Sequence, residues 1–240
     1  MSFRRLISVG VLAASAAVLP ALPGQAAPST GSCSNADYPT NATSLSLTLT
    51  SQKVTAGQSI TAFGELRKNS CAVRGATIRI ERRRLVNGTA TGSWALVTSA
   101  TTRPNGLYFA TFAPMHNELV RAHFTGASDF PRAFSPSVTV KVRERITESA
   151  TRRSGCRITL SGSTTPAKAN HTVTIQRRGP KGHFHGWKFF ARGTTNRHGH
   201  YSITKTARCG ATYNLSALIN SDSTNLGGRS ATIYGIKAAS

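Results

Sequence analysis

The chain contains itself twice, and this duplication constrains its fold more than any other feature. Trp94, Thr101-Thr102, Gly106 and Tyr108 recur as Trp187, Thr194-Thr195, Gly199 and Tyr201, all at one offset of 93. Ile80-Glu81-Arg82-Arg83 recurs as Ile175-Gln176-Arg177-Arg178 at an offset of 95, and Gly57–Gly64 recurs as Gly155–Gly162 at 98. The drift means shorter loops in the second copy, where changes of length are tolerated. A period near 95 is that of a tandem domain, not of a solenoid repeat.

Each copy reads as strands. Leu45, Leu47 and Leu49 alternate with Ser and Thr, and Val138, Val140 and Val142 repeat the pattern at the far end of the first copy. Ile78 and Ile80, then Val173 and Ile175, give the same period of two. Gly, Asn and Pro punctuate the runs. The Thr-Thr-x-x-x-Gly segments predict hairpin turns with Gly106 and Gly199 at positive φ. Beyond the first 26 residues no stretch sustains a helical period. The predicted class is all-β, with two antiparallel sandwiches of about 100 residues each.

The N-terminus predicts export. Arg4 and Arg5 precede Leu6–Leu19, 14 residues without a charge, too short to span a bilayer but right for a signal-peptide core. Gly24 and Ala26 suit the −3 and −1 positions, so cleavage is expected after Ala26; an uncleaved anchor is the alternative. Thr30-Gly31-Ser32 before Cys33 is no lipobox, and Ile236–Ser240 is no wall-sorting signal. The expected division is signal peptide 1–26, polar segment 27–43, first sandwich 44–143 and second sandwich 144–240, with the mature chain secreted and extracellular.

The formal net charge is +22, and losing Arg4 and Arg5 with the leader leaves +20. Residues 27–143 hold 13 Lys and Arg against 5 acids, while 144–240 hold 15 against 3. Such an excess favours anionic polymers, among them wall teichoic acids, acidic polysaccharides and nucleic acid, without choosing between them. The basic runs are Arg82-Arg83-Arg84, Arg143 with Arg145, Arg152-Arg153, and Arg177-Arg178 with Lys181. Of these, Arg82, Arg83, Arg84, Arg177, Arg178 and Lys181 are the candidate polyanion contacts. Arg79, Glu81 and Arg83 share the strand face opposite Ile78 and Ile80, so the plain alternative is a solvated, solubilising sheet face.

Four cysteines in an exported chain are expected to be oxidised. In the repeat alignment Cys156 falls on Gln58 and Cys209 on His116; one copy has both cysteines and the other neither. This predicts Cys156–Cys209, leaving Cys33–Cys71 to fasten the polar segment to the first sandwich, each worth about 3–4 kcal/mol by chain-entropy arithmetic. His183-x-His185 and His198-x-His200 have a usable metal spacing but no carboxylate or thiolate near them in sequence. Strand rise sets the two pairs roughly 30 Å apart. No metal or other cofactor is expected. No nucleophile elbow, H-E-x-x-H, P-loop, EF-hand or glycosidase pair is present in sequence, and no enzyme is expected. No nucleic-acid motif of the RNP type occurs.

In order, the elements are a Gly-x-x-Ile-Thr strand ending in Gly, an Ile-x-Arg-Arg strand, Trp, Thr-Thr-x-x-x-Gly-x-Tyr, and a last Ser-x-x-Val strand. This order resembles the tandem immunoglobulin-like sandwich repeats of secreted proteins from high-GC Gram-positive bacteria. The resemblance covers about 44–237 and implies an extracellular binding, spacer or adhesion module with no catalytic residues. Trp187 lies 31 residues after Cys156, so it is not the core tryptophan of an antibody domain. The leading expectation is a non-catalytic binding or adhesion module for an anionic polymer. A structural spacer is the alternative, and a weak metal or small-molecule binder is third.

Overall fold

The computed structural model describes residues 42–69, 71–127, 130–178 and 186–238. The expected leader, Cys33, Lys181, His183 and His185 lie outside the described residues. The first copy contributes β1 (Thr43–Leu45), β2 (Thr48–Leu49), β3 (Lys53–Thr55), β4 (Ile60–Lys68), β5 (Cys71–Ala72), β6 (Thr77–Val86), β7 (Thr89–Thr101), β8 (Leu107–Phe112), β9 (Glu118–Phe124), β10 (Ala133–Phe134) and β11 (Val138–Arg143). The second contributes β12 (Arg145–Ile146), β13 (Ser149–Arg153), β14 (Arg157–Thr165), β15 (Thr172–Arg178), β16 (Lys188–Thr194), β17 (His200–Thr206), β18 (Thr212–Ile219), β19 (Gly228–Arg229) and β20 (Ile233–Lys237).

Both copies are two-sheet sandwiches of the immunoglobulin-like kind. In the first, β4 lies between β1/β2 and β8, facing a sheet ordered β3-β11-β9-β6-β7. In the second, β14 lies between β12/β13 and β17, facing β16-β15-β18-β19, with β20 also on β18. The alternation of apolar and polar residues places Ile78, Ile80, Val120 and Ala122 in one core and Val173, Ile175, Leu215 and Ala217 in the other. The first core runs from Leu45 to Val142 and the second from Ile146 to Ala238.

The repeated residues have a physical reason. The Tyr108 hydroxyl donates to the Ser46 carbonyl at 2.5 Å, and the Tyr201 hydroxyl donates to Thr147 at 2.7 Å. Each crosses the opposite strand at a glycine: a Cβ on Gly64 would stand 2.2 Å from the Ser46 oxygen, and one on Gly162 would stand 2.0 Å from that of Thr147. Thr102 and Thr195 are buried and accept from the Ala76 and His171 amides at 2.9 Å. Gly106 and Gly199 do take positive φ, at 79° and 75°. However, the strands their turns join are not paired with each other. β7 belongs with β6 and β8 with β4, so each turn crosses between sheets.

Backbone and side chains join the sandwiches at the loop between β18 and β19. Asn117 and Asn87 donate from their amides to Thr224 and Ser223, Leu226 donates to Val142, and Glu144 donates to Leu226, all at 2.7–2.9 Å. Asn225 is buried and donates from Nδ2 to Met115 at 2.9 Å. A Cβ on Gly228 would lie 2.0 Å from the Glu144 oxygen, so only glycine allows this approach.

Candidate functional site

At its end away from the first sandwich, the second sandwich has no cover among the described residues. The rows that face its core continue past the last apolar residue into cations. On β15, Val173 and Ile175 are followed by Arg177, and on β17, Tyr201 and Ile203 are followed by Lys205. With Arg178 and Arg208 these rim a cleft of about 500 Å³. Its apolar wall includes Phe189, Phe190 and Tyr213. Phe190 and Tyr213 pack at 5.2 Å, and the Arg177 guanidinium stands 6.0 Å over the Tyr213 ring. The Tyr213 hydroxyl accepts from the Arg208 amide at 3.2 Å, fixing one rim residue to the wall. The Cys156–Cys209 disulfide, formed as the repeat predicts, staples this end next to Arg208. Cys71 is also disulfide-bonded.

Among the described residues, no acidic side chain lines the cleft. The three acids of the second sandwich lie elsewhere. The Lys168 ammonium bridges Glu144 and Asp222 at the junction, and also donates to Thr224 at 3.2 Å. Glu148 is half-buried and accepts from the Ala217 amide and Ser230 hydroxyl at 2.8 and 2.9 Å. Burial pushes Glu144 and Glu148 up. Asp222 is also raised by burial, but Lys168 and the Thr224 and Asn225 amides overcome that and bring it down to about 2.

The same end of the first sandwich is different. Val120 and Leu215 are the core partners of Arg82 and Arg177; two residues before them stand Glu118 and Tyr213. Glu118 is 2% exposed and lies 3.7 Å from Arg82. Arg84 approaches His116, and His116 bonds to Asn225 of the junction loop at 3.0 Å. Thus Arg82 and Arg84, both exposed, stand beside a buried acid and a histidine tied to the junction loop, while Arg83 lies on the outer sheet face. Three consecutive arginines on a period-two strand are divided between two surfaces. Of the candidate contacts, the structure brings together Arg177 and Arg178 and adds Lys205 and Arg208, which no run of charge marks in the sequence.

Glu81, expected on a solvated face, is buried beneath Arg121 and His123, at 2.9 and 2.8 Å. Burial raises its pKa, but these two partners outweigh burial and leave it below the ordinary value. Phe189 is 59% exposed, and Trp187 is half-buried. His198 and His200 are exposed. A metal-ligand grouping among the described residues is Glu144, His171 and Asp222, whose ligand atoms lie within 4.8 Å. Lys168 already supplies a cation between its carboxylates.

These features define a chain of two tandem immunoglobulin-like sandwiches with one open cationic end. No family model and no curated protein matches the sequence. Solved structures do. A tetra-tandem repeat in the extending region of a large adhesion protein is 16% identical, with a TM-score of 0.37 over 80% of this chain and 49% of that one. The Yersinia pseudotuberculosis adhesin InvE is 15% identical, with a TM-score of 0.36 over 78% and 58%. The D0-D1 domain of intimin is 16% identical, with a TM-score of 0.29 over 82% and 98%. The chain spans about half the length of the first two.

Proposed function

We propose that this protein is an extracellular, non-catalytic adhesion module that binds an anionic polymer through the open end of its second sandwich. The observation that carries this reading is the difference between the two equivalent ends. In the first, the buried Glu118 lies 3.7 Å from Arg82 and the junction loop bonds to the neighbouring His116; in the second, Tyr213 takes the place of Glu118, and four cations line the cleft with no carboxylate beside them among the described residues. Unneutralised charge over an apolar wall attracts and then retains an anion. Disulfides fit an oxidising compartment outside the cell. The polymers in view are wall teichoic acid, acidic polysaccharide and nucleic acid. The resemblance to secreted repeats of high-GC Gram-positive bacteria keeps teichoic acid among them. The hydrogen-bonded junction favours a second role, as a spacer that holds the cleft away from whatever carries the N-terminus.

The test is retention on teichoic-acid and heparin resins across a salt gradient. Wild type should elute late, and its affinity should fall steeply between low and moderate salt, because exposed charge contacts are screened over about 8 Å at physiological ionic strength. Arg177→Ser/Arg178→Ser/Lys205→Ser should weaken binding about 10–100-fold at low salt with the fold intact. Early elution of both proteins at low salt would leave the charge merely solubilising and favour the spacer.

A further inference from the structure

The sheet face of the first sandwich that points away from its core carries a second feature. β7 is an edge strand, and along it Trp94 and Leu96 point outward beside Glu81, whose register partner is Leu96. Leu96 is 51% exposed, and Phe134, on β10, is 43% exposed. Between the rings of Trp94 and Phe134 lies the Arg121 guanidinium, 4.1 Å from one and 4.3 Å from the other. Glu81 grips that guanidinium at 2.9 and 3.0 Å, and His123 stacks on Phe134 at 4.3 Å. The two rings are therefore held in place before any ligand arrives.

The second sandwich repeats part of this arrangement with different residues. Trp187 and Phe189 repeat Trp94 and Leu96, and Gln176 repeats Glu81. Arg121 is the register partner of Glu81, but the partner of Gln176 is Ser216, which cannot stack. The guanidinium comes instead from Arg229, on the strand that corresponds to β10. It lies 4.8 Å from the Trp187 ring and donates to Gln176 at 2.6 Å. The contact common to both copies is a tryptophan ring against a guanidinium; Arg229 stands where the first copy has Phe134, so the second ring belongs to the first sandwich.

We infer that Trp94, Leu96 and Phe134 form a platform for sugar rings, and that the polymer bound is an acidic polysaccharide. The inference rests on the previous reading only in taking the ligand to be an extracellular polyanion. A nucleobase stacked on both rings would have to enter the gap that Arg121 fills. What remains is the apolar surface of Leu96 and of the exposed part of Phe134, which the C–H face of a pyranose can cover. Arg79, in register with His123 and with its side chain 43% exposed, lies with its Nε 3.5 Å from Glu81; since that one carboxylate also serves Arg121, the face keeps an excess of positive charge at the rim for a sugar carboxylate. Glu81, the acid beneath, is already engaged by Arg121 and His123.

The experiment measures binding of polygalacturonate, inorganic polyphosphate and single-stranded DNA to the full chain, to Leu96→Ser and to Leu96→Ser/Phe134→Ser. Polygalacturonate has rings and carboxylates, whereas polyphosphate has charge without rings. The double variant should bind polygalacturonate about tenfold more weakly, the scale of one lost ring contact. Leu96→Ser, which leaves the stack untouched, should lose a few-fold, and polyphosphate affinity should stay unchanged in both. Unchanged polygalacturonate affinity in the double variant overturns the platform. So does an equal loss for polyphosphate, which reports damage to the fold, and so does a loss confined to DNA, which assigns the face to bases. Failure of wild type to bind polyphosphate counts against the distal cleft alone.

Discussion

At the scale of single residues, the same few positions explain why the sequence repeats. Gly64 and Gly162 exist so that a tyrosine hydroxyl can reach the first strand over a bare backbone. Gly162→Ala would drive a methyl group to 2.0 Å from the Thr147 carbonyl, and should cost about 2–4 kcal/mol in urea unfolding. Glu118 shows what one substitution between copies does. Burial pushes its carboxyl from the ordinary 4.5 up to about 7, with Arg82 pulling it back only in part. Between these two pH values the folded protein holds a proton that the unfolded chain has released, so this group makes stability fall as pH rises through the window. Glu118→Gln should flatten that slope and gain about 1–3 kcal/mol at pH 8, read from unfolding curves at pH 4.5 and 8. Asp222 has the opposite sign. Held down at about 2, it contributes stability above its ordinary 3.8 that is lost as pH falls toward 2.

At the scale of elements, the two ends of a sandwich must be closed, and the copies close them differently. The far end of the first sandwich is covered by the loop between β18 and β19, whose Asn225 and Thr224 satisfy backbone groups of both sandwiches. The corresponding end of the second has no such cover among the described residues and carries the Cys156–Cys209 bridge instead. The bridge closes a separation of 53 residues, worth about 4 kcal/mol in chain entropy. We propose that each sandwich is a folding unit. A fragment of residues 144–240 should therefore give a cooperative β-sheet unfolding transition when oxidised, and should lose roughly 4 kcal/mol on reduction. A random-coil spectrum from the oxidised fragment would reject this division.

At the scale of the whole molecule, charge is sorted along the chain of domains. The acids of the second sandwich are engaged near the junction, by Lys168 or by buried hydrogen bonds, and four of its cations line the cleft at the opposite end. Separation within one small domain raises the field at the open end above what the net charge alone would give. The loss of retention in Arg177→Ser/Arg178→Ser/Lys205→Ser should thus exceed that of a triple substitution such as Arg74→Ser/Arg132→Ser/Lys141→Ser, which removes equal charge from exposed positions of the first sandwich. Equal losses would mean that net charge, not the cleft, governs binding.

The sequence alone determined the class of fold, because a period of two and a duplicated frame of Trp, Gly and Tyr leave little besides paired sandwiches. It also determined the Cys156–Cys209 pairing, since both cysteines are missing from the other copy. Arg177 and Arg178 were legible as candidates, but so were Arg82, Arg83 and Arg84, in an almost identical strand. Only tertiary structure separated them, because whether a cation is free depends on what the neighbouring strand and domain place beside it. Glu118 comes from 36 residues away and Asn225 from more than 100. Lys205 and Arg208 were hidden for a related reason: neither belongs to a run, and each joins the rim only because its strand outlasts the apolar core. The burial of Glu81 and the exposure of Phe189 had no local sign either. Strand alternation says which side of a sheet a residue takes, and only packing across strands decides whether that side meets solvent.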